Sequence, residues 1–429
     1  MTSETLIVRR LVSLAAGALA AGTAAACAKT ADVFTPTPPA NNAPFMARYV
    51  ALGNSITAGF QSDGINDSTQ KQSYAKLIAN AAGTRYAYAA LAGRGCRPPI
   101  VNFLTGARVG GGTATTCDLR TAASINATLN NVAVPGANSF DPTGQAGGGY
   151  SALTTFILGG LTQVQKAIEL DPTFATIWIG NNDVLSFALS GTRTGVTDSA
   201  TFIANYDKMI SDLLAGSPNL KKGVLIGVVN VVNAPLGIPI SVINSGAVPS
   251  QPAFGYQPAA AGAVQQIIGH PLAFAPNCNA GTPQIAFSAF PAIAAAVAQA
   301  GLPPAAPFTF VCGDIPGVAT KTPGLLTDAD RTFFINRVTG WNNYIKAKAA
   351  AIGFAYYDPN TRLNTWRATG QVPPFPNLTP AGLAAPFAPY VTNDGVHPSA
   401  AAHLVIAQDL VALVNQKYGS SIPAPTSNP

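Results

Sequence analysis

The chain has 429 residues, of which 48% are hydrophobic and only 10% charged, so it can bury a substantial core and its composition argues against intrinsic disorder. Its formal charge of +6 is spread thinly, and no run of Lys or Arg would follow a phosphate backbone, which disfavours nucleic-acid binding. Glutamate occurs only at positions 4 and 169, so carboxylate chemistry must come from aspartates.

The N-terminus has the pattern of a secretory signal. Arg9 and Arg10 precede an apolar stretch that ends in small residues before Cys27, and this stretch is shorter than the ~20 residues that span a bilayer. We therefore predict a signal peptide over residues 1–26. The Pro- and Thr-rich residues that follow predict an exposed tether over residues 27–44.

Cys27 stands where a bacterial lipobox would place its lipidated cysteine, because small residues come directly before it. Most lipoboxes carry Leu three places before the cysteine, whereas this chain has Ala24, so simple cleavage is the alternative. We predict export to the bacterial periplasm or cell surface with membrane contact through a lipid anchor on Cys27. Release as a secreted protein is the second possibility.

Four further cysteines remain in the exported chain, and an even number favours disulfides. Three pairings are possible. The short-range pairing, Cys96–Cys117 with Cys278–Cys312, closes the smallest loops and is our prediction, with free buried thiols as the alternative. No Cys/His cluster suggests a metal.

Short apolar segments alternate with helical patterns along the rest of the chain. The predicted strands are Tyr49–Leu52, Asn131–Val134, Thr176–Ile179, Val224–Val229 and Phe354–Tyr357. Apolar stripes predict helices from Phe202 to Gly216, from Thr327 to Gly353, and from Ser399 to Gly419. This alternation predicts an α/β fold, a three-layer α/β/α sandwich around a mainly parallel sheet.

Two regions interrupt this order. Residues 93–130 are rich in Gly and Thr, and residues 234–324 are rich in Ala and Pro and nearly uncharged. The second region is too long for a plain loop, so we predict a cap on the core domain. Its phenylalanines either form the core of the cap or face the cleft above the active site; they are Phe254, Phe274, Phe287, Phe290, Phe308 and Phe310.

Ser55 follows the first predicted strand, where open α/β sheets place their ligands, and Gly53 permits a tight exit from that strand. Serine and glycine are also common at strand ends, so this signal alone is weak. The GxSxG nucleophile elbow of α/β-hydrolases is absent from the chain.

Asp394 and His397 lie three residues apart before the last helix. A serine nucleophile needs a base, for which histidine is suited near neutral pH, and the base needs an orienting carboxylate. A surface histidine at a helix start is the alternative. His270 and His403 have no comparable neighbour, and packing suffices to explain His403.

Two strand-end turns could stabilise an oxyanion. One contains Gly180-Asn181-Asn182-Asp183 and the other Gly136, whose N–H can approach a substrate closely. Each turn is ordinary when taken singly.

Together these elements resemble the SGNH/GDSL hydrolases. Gly53-Asn54-Ser55, Gly136, Gly180-x-Asn182-Asp183 and Asp394-x-x-His397 occur in the order of that family's blocks one, two, three and five. The resemblance implies that Ser55 attacks an ester, His397 acts as base and Asp394 orients it. It also implies an oxyanion hole made by the Ser55 N–H, the Gly136 N–H and the Asn182 side chain, with no cofactor.

The resemblance covers Arg48 to Gly419, so we place a hydrolase domain at residues 45–419, with an insertion at 234–324 and a tail at 420–429. Asn54 departs from the family, which usually has Asp there. The expected function is hydrolysis of lipid-like or short acyl esters. The alternatives are a polysaccharide O-acetylesterase acting on a glycan ester and a non-catalytic surface lipoprotein.

Overall fold

The computed structural model describes residues 43–118, 120–144, 151–245, 260–380 and 382–427. The predicted signal peptide, Cys27, most of the tether and Phe254 of the predicted cap lie outside the described residues. Within these ranges, no helix is both long enough and apolar enough to cross a membrane.

The central sheet is parallel and has four strands. The strands of the described chain are β1 Tyr49–Gly53, β2 Ile100–Asn102, β3 Ala107–Arg108, β4 Phe174–Trp178, β5 Lys222–Ile226, β6 Gly237–Pro239, β7 Leu272–Phe274, β8 Gln284–Ala286, β9 Phe308–Phe310, β10 Leu325–Leu326 and β11 Ala355–Tyr357. The order in the sheet is β1-β4-β5-β11, and every neighbouring pair is parallel. Four of the five predicted strands are therefore present.

The predicted strand Asn131–Val134 is wrong as a regular strand. The segment runs beside β1, where the Val132 N–H donates to the Ala51 carbonyl at 3.0 Å, but it forms only an isolated parallel bridge. The Asn131 side chain accepts the Ala133 N–H at 3.1 Å, and Pro135 has no N–H with which to continue the pairing.

The helices connect these strands. Their bounds are Ser55–Ala58, Asp67–Lys71, Tyr74–Ala81, Ala122–Ile125, Thr154–Leu158, Gln163–Ile168, Asn182–Ser190, Ser199–Gly216, Ile240–Ser245, Ala260–Ile268, Phe290–Gln299, Asp328–Ala351, Pro359–Ala368 and Ala400–Tyr418, with 3-10 turns at Pro44–Met46, Val231–Asn233, Pro276–Asn279 and Phe287–Ala289. The three predicted helices are confirmed. Thr327 forms a capping box with Asp330, and Ser399 caps the last helix, which ends at Gly419 in a left-handed conformation.

Helices cover both faces of the sheet, because successive strand residues point to opposite sides. Val50 and Leu52 of β1 pack with Phe202, Trp341 and other residues of the helices Ser199–Gly216 and Asp328–Ala351. Tyr49 and Ala51 pack instead with the helices Tyr74–Ala81 and Ala400–Tyr418. The fold is thus the predicted three-layer α/β/α arrangement.

The predicted cap has a core of its own. It contains an antiparallel sheet ordered β10-β8-β6, a parallel pair β7-β9, and the Cys278–Cys312 disulfide. Phe290 and Phe310 are fully buried in its apolar cluster, which Phe274, Phe287 and Phe308 also join. Because β10 pairs with β8, the cap extends past the predicted boundary at residue 324.

Candidate active site

Ser55 lies at the carboxyl end of β1, where it opens the four-residue helix Ser55–Ala58. A Cβ atom at position 53 would lie 2.6 Å from the Trp178 carbonyl oxygen, so only glycine permits this approach between β1 and β4. The Asn54 side chain caps the helix by accepting the Ile56 N–H at 3.2 Å. Asn54 is fully buried, and its Nδ2 has no hydrogen-bond partner among the described residues.

Ser55, His397 and Asp394 form a hydrogen-bonded chain although Ser55 is 342 residues from His397. His397 Nε2 lies 2.8 Å from Ser55 Oγ, and His397 Nδ1 lies 2.7 Å from Asp394 Oδ2. With the proton on Nδ1, the imidazole donates to the carboxylate and its Nε2 can accept the serine proton.

The Asp394 carboxylate is held in its ionised form. Its Oδ1 accepts the N–H groups of Val396 and His397, each at 2.9 Å. Burial disfavours the charge, but the adjacent His397 and these donors outweigh that effect, so the pKa of Asp394 lies below its ordinary value. A charged carboxylate can therefore stabilise an imidazolium at neutral pH.

Asp63 provides a further support for Asp394 that no sequence motif predicted. Its backbone N–H donates to Asp394 Oδ2 at 2.8 Å across a separation of 331 residues. The Asp63 carboxylate in turn contacts Arg108 at 2.6 Å and Arg97 at 3.1 Å. No local sequence pattern predicts such a contact, because it forms only when two distant segments of the chain come together in the fold.

Gly136 and Asn182 border the same cavity as Ser55 and His397. The Asn182 amide donates one hydrogen bond to the Ala137 carbonyl at 2.7 Å, which ties it to the loop that carries Gly136. The same loop is held by Asp183, which accepts the Ser139 N–H at 2.8 Å and the Ser139 hydroxyl at 2.6 Å. The structure therefore places the expected oxyanion residues in the wall of one cavity with Ser55.

A cavity of about 700 Å³ opens beside the side chains of Ser55 and His397. Its walls come from the region 93–130, the cap and the segment before the last helix, and they include the Cys96–Cys117 disulfide. Phe103 lies in the middle of an aromatic cluster, with ring centroids 4.7 Å from Phe287 and 5.6 Å from Phe387. Leu236, Phe287 and Ser288 are the contribution of the cap, which thus borders the site.

The other two histidines lie outside this arrangement. His403 is fully buried, and its Nδ1 accepts the Tyr74 N–H at 3.2 Å. Burial and the nearby His397 lower the pKa of His403 to about 3, so it stays neutral in the core. His270 Nδ1 contacts the Ala306 carbonyl at 3.1 Å inside the cap.

Comparison with known proteins identifies the family of the chain. The family model for the GDSL-like lipase/acylhydrolases matches residues 49–410, which is most of the chain. A search of curated proteins found no match. The chain belongs to the GDSL-like lipase/acylhydrolase family, as its motifs implied.

Proposed function

We propose that this member of the GDSL-like lipase/acylhydrolase family hydrolyses carboxylic esters through Ser55. The observation that carries the proposal is the 2.8 Å contact between Ser55 Oγ and His397 Nε2, together with the 2.7 Å contact between His397 Nδ1 and Asp394. A serine next to a base that is itself oriented by a carboxylate is the arrangement that activates a hydroxyl nucleophile.

In the proposed reaction, Ser55 Oγ attacks the ester carbonyl carbon while His397 Nε2 takes the serine proton. The carbonyl oxygen becomes negative and receives hydrogen bonds from the Ser55 N–H, the Gly136 N–H and the Asn182 amide. The imidazolium then protonates the leaving alcohol, and an acyl-enzyme forms. His397 next removes a proton from water, whose oxygen attacks the acyl carbon, and returns it to Ser55 as the acid leaves.

The walls of the large cavity favour an ester with an apolar portion. Ile100, Phe103, Leu185, Phe287 and Phe387 border it, so a hydrocarbon chain would displace water from apolar surface there. We therefore place lipid-like or short acyl esters first among the substrates.

The test is replacement of Ser55 by alanine. Ser55→Ala should lower hydrolysis of a panel of p-nitrophenyl acyl esters by several orders of magnitude, because triad knockouts in comparable enzymes have that effect. Ser420→Ala is the matched control, since its hydroxyl forms a hydrogen bond with Asn415 of the last helix, far from the active site. Near wild-type turnover by a folded Ser55→Ala protein would refute the mechanism. Adding acetylated sugars to the panel distinguishes an O-acetylesterase.

We further propose that the protein is exported and anchored by acyl chains on Cys27. The signal-like N-terminus supports this, and the two disulfides fit an oxidising compartment. A fatty-acid analogue fed to the cells should label the wild type and leave Cys27→Ala unlabelled. Equal release of both proteins into the soluble fraction would favour simple cleavage instead.

A further inference from the structure

In the part of the chain that the structure describes, two cavities border Ser55 and His397. The large cavity described above has a volume of about 700 Å³, and a second one of about 70 Å³ lies beside it. Ser55, Asn182, Leu185, Val396 and His397 border both of them. The reacting serine therefore stands at the junction of a wide compartment and a narrow one.

The narrow cavity has apolar and aromatic walls away from Ser55. Leu363 and Trp366 reach it from the helix Pro359–Ala368, and Val229 and Val231 reach it from the segment after β5. The Trp366 ring stacks on Tyr390 with centroids 4.1 Å apart and an interplanar angle of 10°. Leu363 and Trp366 are both buried, so these walls are packed in place.

The volume of the narrow cavity limits what it can hold. One water-sized site needs roughly 10–15 Å³, so about 70 Å³ corresponds to roughly five to seven such sites, and a chain of about four carbons fits within it. Most of these walls are apolar, so an ionised group would lose its hydration there. Trp178 and Asn181 also border the cavity, and their Nε1 and Nδ2 atoms have no hydrogen-bond partner among the described residues. The occupant is therefore short, uncharged and mostly apolar.

The tetrahedral intermediate of ester hydrolysis has two substituents that these two compartments can hold separately. The tetrahedral carbon on Ser55 Oγ carries an oxyanion and two further substituents, the acyl chain and the alkoxy group. Gly136 borders the large cavity but not the narrow one. The oxyanion therefore points toward the Gly136 side, and the remaining two substituents divide between the compartments.

We propose that the narrow cavity is a length-limiting compartment for one chain of the ester, and that Trp366 sets the limit. This inference rests on the proposed ester hydrolysis at Ser55. The preferred substrates are then asymmetric esters, in which one side has at most about four carbons and the other side is a longer apolar group in the large cavity. The short chain is either the acyl or the alkoxy part of the ester.

Two series of esters distinguish whether the acyl or the alkoxy chain occupies the narrow cavity. The first keeps an octyl alcohol and lengthens the acid from acetate to decanoate, and the second keeps octanoate and lengthens the alcohol from methyl to octyl. In one series, kcat/KM of the wild type should fall about tenfold or more beyond roughly four carbons, since one methylene too many costs that much in a hydrophobic pocket. The series in which kcat/KM falls shows which chain, acyl or alkoxy, occupies the narrow cavity.

Trp366→Ala should remove this fall in the same series. In the other series, whose constant eight-carbon chain exceeds the limit, it should raise kcat/KM by a similar factor at every length. Leu363→Phe should move the fall to shorter chains, and it provides a second reading if Trp366→Ala does not fold. Phe287→Ala, in the wall of the large cavity, should change the length dependence of the other series and leave the position of the fall unchanged. A wild type with no length limit in either series, or a folded Trp366→Ala with the wild-type limit, overturns the compartment alone. A wild type that hydrolyses no ester in either series overturns the proposed function as well.

Discussion

The backbone N–H of Asp63 donates to Asp394 Oδ2 at 2.8 Å, on the oxygen that also faces His397 Nδ1. The Asp63 carboxylate is bound by Arg108, whose guanidinium also donates to the Pro98 carbonyl at 2.7 Å. The position of the Asp394 carboxylate thus depends on Arg108, which is buried and does not contact Ser55.

We expect Arg108→Leu to lower kcat about tenfold with little change in KM, because the variant loosens the support of Asp394 and Arg108 does not itself border the cavity next to the serine. Arg108→Lys should recover part of the loss. Steady-state kinetics on one p-nitrophenyl ester measures both values. Arg48→Leu is the control, since it breaks the Arg48–Asp171 ion pair on the surface. A rise in KM at constant kcat would contradict a positioning role.

The two disulfides should have different effects when they are removed. The Cys96 N–H donates to the Ile65 carbonyl at 2.8 Å, next to the loop of Asp63, whereas Cys278–Cys312 lies inside the cap. Each double alanine variant should lose about 2–4 kcal/mol in the free energy of unfolding. Only the variant lacking Cys96–Cys117 should also lose turnover. Denaturant unfolding and esterase assays on the two variants measure this, and equal turnover would contradict it.

Asp183 predicts a pH dependence of stability. Burial raises the pKa of Asp183 to about 6, so the folded protein binds its proton more tightly than the unfolded chain does. This stabilisation is complete below the unfolded pKa near 4 and is lost as the pH rises through about 6, with an upper bound of about 3 kcal/mol.

Asp183→Asn should abolish that loss, because the amide cannot ionise and can still accept the Ser139 N–H. The measurement is the difference between the unfolding free energies of the wild type and the variant at pH 4, 5, 6 and 7. We expect the wild type to lose stability relative to the variant across this range. A constant difference would show that Asp183 does not titrate there.

Substitutions of Asn54 test how much its side chain stabilises the N-terminus of the helix Ser55–Ala58. Asn54→Ala removes the acceptor for the Ile56 N–H and should lower the unfolding free energy by about 1 kcal/mol. Asn54→Asp keeps an acceptor there and removes the buried Nδ2 that has no partner among the described residues. It should therefore be more stable than Asn54→Ala. Denaturant midpoints rank the variants, and the reverse order would be inconsistent with capping.

Much of the fold follows from local patterns in the sequence. Helices such as Asp328–Ala351 have apolar spacing and capping residues within a few positions of each other, and strands such as β4 are short apolar runs. Strand ends also located Ser55, Gly136 and Asn182, because parallel strands put their carboxyl ends on one edge. The prediction of a regular strand at Asn131–Val134 was wrong. There the Asn131 side chain accepts a backbone N–H, and the proline that follows has no N–H with which to continue the pairing.

The tertiary structure alone decided the surroundings of these residues. The contact between Asp63 and Asp394, the aromatic cluster around Phe103 and the narrow cavity beside Trp366 join segments that are far apart in the chain. Contacts of this kind depend on how several elements pack, and packing is set by side-chain volumes across the whole core. Residue types and spacing therefore determined which groups carry the chemistry, while the packing of distant segments determined the space around them.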